Sequence, residues 1–380
     1  MESSNITLGD DWYSKPLNSN DIIAGGTLIL LALIFLLIYI LVSSVLYRES
    51  SVSYSRRIIC FVYLLSSSIN NMILLTNYAL WPGILIIAKK RVPKNGRRLY
   101  QIYFDAMWFS MCYHTLLIAW TRYAAICRPV QFRKLKISTI YISCLMCYVI
   151  AFVQSTIAYF QPRYVTFYYE ASVYGIIAED IKLYLEGGKA QFFFIFHLLI
   201  FIGTFFFYGC ALFVLVKYKW QNRKITIQNT ADLPDAERRK KWSVVSNASN
   251  ILQAESKLIM PCTCNAVVFV IGQVVLTVGI SEGRWTLWLI LVLFTLNASV
   301  DSVTLLIFSK TVRNTALAVL REIFCSNKGT VVTELEVSEI SGIIFDKNIF
   351  ELIINAEKAM TYIYAYNLLI FYLNELSKFS

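Results

Sequence analysis

Seven stretches of this chain are each long and apolar enough to cross a bilayer, and nothing else in the sequence constrains its fold as strongly. They lie at 22–47, 58–81, 100–123, 137–160, 190–217, 258–280 and 285–309. Crossing roughly 30 Å of hydrocarbon takes about 20 residues of helix. The chain is 57% hydrophobic and 16% charged, with a mean hydropathy of +0.57. Soluble domains hold about half apolar residues, and here the excess is gathered into blocks. The expected fold class is therefore all-α: a polytopic membrane protein with a seven-transmembrane helix bundle over 22–309. The flanks are then an extracellular N-terminus at 1–21, a cytoplasmic surface helix at 310–326 and a tail of unassigned structure at 327–380. Residues 1–20 are polar and carry no cleavable signal, so the first span is expected to direct insertion.

A net charge of +11 raises the question of nucleic acid, but the positive residues sit between the apolar blocks, where they orient a chain in a bilayer. With the N-terminus outside, the cytoplasmic segments hold 21 Lys and Arg residues and the outer segments 11. The bias predicts an extracellular N-terminus and a cytoplasmic C-terminus. One outer loop runs against it: Lys89-Lys90-Arg91-Val-Pro93-Lys94-Asn95-Gly96-Arg97-Arg98. Asn95-Gly96 there suits a hairpin turn, and the charges read either as a solvated turn or as an attractor of acidic ligands. The longest polar segment between spans, 217–257, holds Arg238-Arg239-Lys240-Lys241, which suits anionic lipid or an acidic partner surface as well as a simple topology signal.

Nine cysteines invite a metal or disulfide reading. Cys144-x-x-Cys147 and Cys262-x-Cys264 have metal-like spacing, yet both lie in or beside apolar runs, where Cys behaves as a small hydrophobe. No cofactor or metal is expected. Asn5-Ile6-Thr7 is a glycosylation sequon, usable only with the N-terminus in the lumen. Asn247 and Asn297 also open sequons, in the expected cytosol and in a span. In the tail, 361–373 is a Tyr-rich apolar run too short to span, read as an interfacial or packed helix.

Ionisable residues inside a bilayer cost a few kcal/mol each (about 2.5–3.5 on insertion scales) and need a partner or a water-filled cavity. The main ones are Asp105, His114, His197 and Asp301, with Gln273 and Asn297 as polar company. On the third span, a turn of about 100° per residue gathers Asp105, Trp108, Cys112, Thr115, Ala119 and Arg122 on one stripe running the length of the helix. If the stripe faces the bundle, Asp105 and Trp108 line an outer pocket and Arg122 an inner cavity. Asp105 reads equally as a headgroup-level residue paired with Arg97 or Arg98, and His197, alone among phenylalanines, as a structural histidine.

Two segments carry a family resemblance. Thr121-Arg122-Tyr123, with Ala125-Ile126 and Pro129 behind it, resembles the Asp-Arg-Tyr…Ala-Ile…Pro signature of rhodopsin-like G-protein-coupled receptors. Asp301-Ser302-Val-Thr-Leu305, followed by Lys310, Arg313 and Asn314, is similar to their Asn-Pro-x-x-Tyr segment and the surface helix after it. The likeness is nearest to the divergent nematode serpentine chemoreceptors of the class-X group and covers about 20–325. It implies an odorant or pheromone receptor of sensory neurons, in the plasma membrane, that of sensory cilia included. It also implies a heterotrimeric G protein as partner, an unknown small ligand entering from outside, and membrane lipid around the bundle.

Under this resemblance Asp105, Trp108, Cys112, His197 and Gln273 become ligand-binding candidates. Thr121, Arg122, Tyr123, Pro129, Glu255, Asn297, Asp301 and Arg313 become candidates for coupling and activation, and Asn5 for glycosylation. Several family features are altered. Thr121 replaces the acid beside the arginine, which leaves Glu255, at the start of the sixth span, as a candidate counterion for Arg122. Asn70 or Asn71 stands where the second span would carry an Asp. The first span has no Asn, no mid-helix proline marks spans five to seven, and no outer loop holds a cysteine for the usual disulfide to the third span. Two further readings compete. An insect-type chemosensory channel subunit would place the N-terminus inside. A small transporter would show internal repeats or Gly/Pro-broken spans, and neither is visible. Two histidines and scattered carboxylates offer no nucleophile–base pair or metal cluster, which argues against an enzyme.

Overall fold

The computed structural model describes residues 10–52, 57–92, 94–161, 165–228, 267 and 283–325. It falls into two compact units, Met1–Leu320 and Arg321–Ser380. The first holds the bundle; of the second, only the helical residues 321–325 are described. The fold is a seven-transmembrane helix bundle with six of its spans among the described residues. They are Ser19–Val52, Arg57–Leu75 continued through a wide turn at Thr76–Leu80 into Trp81–Ala88, Lys94–Cys127, Ile137–Tyr159, Lys189–Gln228 and Arg284–Phe308. The sixth span (258–280), the basic loop around Arg238–Lys241 and the tail at 327–380 lie outside the described residues.

Four helices outrun the sequence expectation. The first runs from Ser19 to Val52 rather than over 22–47. The second span continues past 81, through Pro82, to Ala88. The third begins at Lys94 rather than 100, so Asn95-Gly96 opens a helix and makes no hairpin turn. The fifth runs to Gln228. The extensions of the first, third and fifth are polar, so hydropathy stops there while the backbone goes on hydrogen-bonding; that of the second, Gly83–Ala88, is apolar and lies beyond Pro82. Lys94–Cys127 has 34 residues, about 51 Å of helix, well beyond roughly 30 Å of hydrocarbon.

Apolar side chains divide between two surroundings. Leu30, Leu37 and Ile40 on the first span, Ile142, Val153 and Ile157 on the fourth, and Leu199, Phe206 and Phe213 on the fifth are exposed, as a lipid-facing belt requires. Leu28, Leu74, Ile86, Phe109 and Leu291 are fully buried. Lipid gives no hydrophobic drive for helix to meet helix, so small residues and interhelical hydrogen bonds supply specificity. Gly25 and Gly83 bring the first and second spans together: a Cβ on Gly83 would lie 2.8 Å from the Gly25 carbonyl oxygen. Ser155 donates to the Ile102 carbonyl at 2.7 Å, Tyr148 to the Ser66 carbonyl at 3.0 Å, and Tyr113 to Gln154.

Between the fourth and fifth spans lies an antiparallel hairpin, β1 (Phe167–Glu170) and β2 (Gly175–Ala178), pairing Phe167 with Ala178 and Glu170 with Gly175. It stands at the end of the bundle that also carries the short helix Asp10–Ser14; we call this the leading end. At the opposite end, Arg128 breaks the third span and Pro129–Arg133 forms a single helical turn, its Phe132 buried with Val312 and Ala316. The seventh span breaks at Ser309, whose backbone is extended, and the chain resumes as the helix Lys310–Cys325. Arg313 reaches back to donate to the Ile307 carbonyl at 2.7 Å, which satisfies one of the orphan acceptors at a helix C-terminus.

Candidate functional site

The third span organises the candidate residues. Asp105, Trp108, Cys112, Ala119 and Arg122 are all buried and Thr115 is half-buried, so the stripe lies against the other helices. Near the leading end, the Asp105 carboxylate accepts a hydrogen bond from Gln101 Nε2 at 2.6 Å, with Lys189 as the neighbouring cation. The expected partner Arg97 is used elsewhere: its Nη2 stands 3.9 Å from the Glu170 carboxylate and its guanidinium lies 3.7 Å over the Tyr168 ring.

One turn further along, Trp108 Nε1 donates to His197 Nε2 at 2.8 Å, joining the third and fifth spans. An acceptor nitrogen on an imidazole requires the neutral ring with its proton on the other nitrogen. Aromatic rings enclose the pair. Tyr78 stacks on Phe294 (4.6 Å between centroids, 19° between planes), and both present edge-to-face contacts to Trp108 at 5.9 and 5.0 Å. Phe104 meets Tyr78 at 4.6 Å, and Phe193 and Phe196 flank His197. Offset and edge-to-face pairs of this kind add about 0.5–1.5 kcal/mol each beyond their burial. Four helices thus contribute to a buried aromatic cluster whose few polar atoms include the Asp105 carboxylate, the Tyr78 hydroxyl and the Trp108–His197 bond.

Sequence reasoning missed Tyr78 and Phe294. The available signal for Tyr78 was Pro82. Proline lacks the N–H that would bond the Tyr78 carbonyl four residues back, and the helix widens into a π turn over Thr76–Leu80 just before it. Such turns concentrate at functional sites, and this one turns Asn77, Tyr78 and Ala79 into the interior. Phe294 had no signal beyond lying in an apolar run.

Mid-bundle, Cys112 is fully buried. His114 is held on both nitrogens, by the Ser66 hydroxyl at 2.9 Å and the Ser110 carbonyl at 2.8 Å. On its leading-end side a polar knot joins three spans. Asn71 Nδ2 donates to Asp301 Oδ2 at 3.1 Å and to the Tyr39 hydroxyl at 3.0 Å, while Tyr39 donates to the Ala298 carbonyl at 2.5 Å. The choice left open between Asn70 and Asn71 is thereby made: Asn71 faces the seventh span, and Asn70 donates to the Met107 carbonyl of the third. Asn297 is buried one turn before Asp301. Tyr39, on a helix without the expected Asn, was not foreseen as part of this knot.

At the far end Arg122 is the largest fully buried side chain among the described residues, 1% exposed. Its neighbour Thr121 is no substitute for the missing acid, because its hydroxyl donates to the Ile118 carbonyl of its own helix at 2.7 Å. Tyr123 packs its ring 5.6 Å from Phe207 of the fifth span, and Pro129 is exposed at the start of the short turn. Asn5, Glu255 and Gln273 lie outside the described residues, and the suggested Arg122–Glu255 contact with them. The structure therefore places the candidates in two groups at opposite ends of one helix, with the Asn71–Asp301–Tyr39 knot between.

No family model matches this sequence, and no curated protein does. Among solved structures, squid rhodopsin matches over 82% of this chain and 89% of its own, with a TM-score of 0.60 at 12% sequence identity. The fold is that of the rhodopsin-like G-protein-coupled receptors.

Proposed function

We propose that this chain is a G-protein-coupled chemosensory receptor of the plasma membrane, related to the nematode serpentine receptors, with its leading end extracellular. One observation carries the reading. A single helix holds a buried aromatic cluster, centred on Trp108 and His197, at one end and a fully buried arginine at the other. An arginine inside a bilayer is costly without a partner or a cavity that opens to water, and a helix joining it to a recognition site can bias both ends together.

Asp105, Trp108, Cys112, His197 and Gln273 take the ligand roles, with Tyr78 and Phe294 added to them. The occupant best suited is a small molecule with an apolar or flat body and one polar group, since hydrogen-bonding atoms are few there and ring faces many. Thr121, Arg122, Tyr123, Pro129, Glu255, Asn297, Asp301 and Arg313 take the coupling roles. The mechanism is a population shift: ligand raises the occupancy of whichever bundle arrangement it binds better, and a Gα subunit reads the change at the Arg122 end.

The test is Arg122→Glu. Ligand-dependent nucleotide exchange on Gα should fall to background while the protein still reaches the cell surface. Unchanged exchange with normal surface expression would count against the assignment.

A further inference from the structure

At the leading end, two short segments are fastened to the bundle by two buried carboxylates. The segments are the helix Asp10–Ser14 and the β1–β2 hairpin, and neither they nor the bundle's leading loops contain a cysteine. Their hold is non-covalent throughout.

The first carboxylate is Asp21, 1% exposed. It accepts from Trp12 Nε1 at 3.2 Å, from the Asn18 backbone N–H at 3.0 Å and from the Tyr174 hydroxyl at the hairpin tip, and Lys89 Nζ stands 3.2 Å away. Lys89 also donates to the Trp12, Lys15 and Pro16 carbonyls at 3.2, 2.9 and 3.0 Å and lies 4.4 Å over the Trp12 ring. To do so it ends the second span in a left-handed conformation, φ 48°, which costs a residue other than glycine about 1–2 kcal/mol.

The second carboxylate is Glu170, 8% exposed. It accepts from the Tyr13 hydroxyl of the N-terminal helix and from Ser172 at 3.0 Å, and it faces Arg97 of the third span. Burial, reinforced by the Glu170 carboxylate, holds the Tyr13 phenol well above its ordinary range, so it remains a donor. Tyr169 and Tyr174 of the hairpin share one buried cluster with Trp108 and Phe294, so the fastened segments close over the aromatic cluster.

We propose that Asp21 and Glu170 are the two pins of a releasable cap, and that loss of either negative charge frees the N-terminal helix and the hairpin while the bundle stays folded. The argument is one of concentration. Each carboxylate gathers donors from three separate stretches of chain, and removing one partner of a buried ion pair strands the other in a medium that penalises it. Beside Glu170, Tyr13 has the Arg91 guanidinium 4.8 Å from its ring centroid, and the hairpin has the Lys189 bond to the Val165 carbonyl at 2.7 Å and the Tyr169 bond to the Pro82 carbonyl at 3.3 Å; none of these ties is a buried ion pair. The cap stands on this geometry alone; its bearing on ligand entry rests on the receptor reading above, which the experiment does not use.

Val165, buried at 2% where the chain enters the hairpin, is replaced by cysteine in the full-length purified protein. A charged maleimide is applied, and modification of residue 165 and of the native Cys144, 2% exposed in the fourth span, is followed by peptide mass spectrometry. With Asp21 and Glu170 intact, both positions should label slowly. Glu170→Gln or Asp21→Asn should speed labelling at position 165 by about a hundred-fold, the size expected for breaking a buried pair, and leave Cys144 protected. In Arg97→Gln/Glu170→Gln the acceleration should be smaller than the two single changes multiplied together, because the stranded charge is gone. Equal labelling rates with and without the substitutions would overturn the proposal. So would Cys144 becoming reactive in step with position 165, because the carboxylates would then be holding the bundle rather than a cap.

Discussion

At the scale of single residues, most of what matters here is a missing atom or one well-placed polar one. Gly83 has its effect through the Cβ it lacks: that atom would meet Ile29 Cγ1 at 2.7 Å and the Gly25 carbonyl oxygen at 2.8 Å. Backbone cannot swing aside as a side chain can. Gly83→Ala should therefore lower stability by about 1–3 kcal/mol, whereas Gly26→Ala, with nothing within 4 Å of the new atom, should stay within about 1 kcal/mol of the parent. Thermal unfolding of the two detergent-solubilised variants compares them directly, and equal losses would mean that the close approach of the two helices is not tight. The polar residues divide by whether the sequence revealed their partners. Asp105 and His197 stood out as ionisable groups in apolar surroundings. Gln101 stands one helical turn before Asp105, a spacing already present in the sequence, whereas the bond His197 takes from Trp108 on another helix depends on rotation and neighbours that no linear pattern carries.

Among the elements, the second span is the one whose local rule-breaking serves the site. A regular helix through Thr76–Leu80 would rotate the residues that follow by about 100° for each residue gained or lost, and Tyr78 would leave the interior. Pro82→Ala restores the N–H that the Tyr78 carbonyl lacks. The variant should be as stable as the parent or more so, and should lose ligand response through displacement of Tyr78 from Trp108 and Phe294. A thermal melt beside a dose–response curve separates the two effects. An unchanged response would mean that the wide turn is held by packing rather than by the proline. The third span shows the complementary case. Its stripe from Asp105 to Arg122 was legible from a 3.6-residue period, since a helix must place those residues on one side; that this side faces protein rather than lipid was settled by the helices packed around it. The loop at 89–98 read as a solvated turn or a lure for anions. Instead Lys89, Arg91 and Arg97 lie over Trp12, Tyr13 and Tyr168, contacts between residues as much as 78 positions apart that charge counting cannot see.

For the molecule as a whole, orientation is the property on which the proposed function stands, and it rests on the excess of Lys and Arg between alternate spans. Expressed in a cell that glycosylates, the chain should gain one Asn5-dependent glycan, removed by an N-glycosidase and absent in Asn5→Gln. An epitope tag at residue 1 reached by antibody only after permeabilisation would instead favour the inverted, channel-type arrangement. The sequence by itself determined the number of spans and the fold class, because hydrocarbon leaves an apolar stretch of this length few alternatives to a helix and hydropathy is additive along the chain. It also marked both ends of the third span as unusual, because an arginine or an aspartate in such a stretch is costly wherever the helix points. Only the tertiary structure decided which residues meet: Tyr39 with Asn71 and Asp301, Tyr78 with Phe294, Glu170 with Tyr13 and Arg97. Each of those contacts depends on the rotation and depth of two or three helices at once, and those are fixed by the packing of all the others.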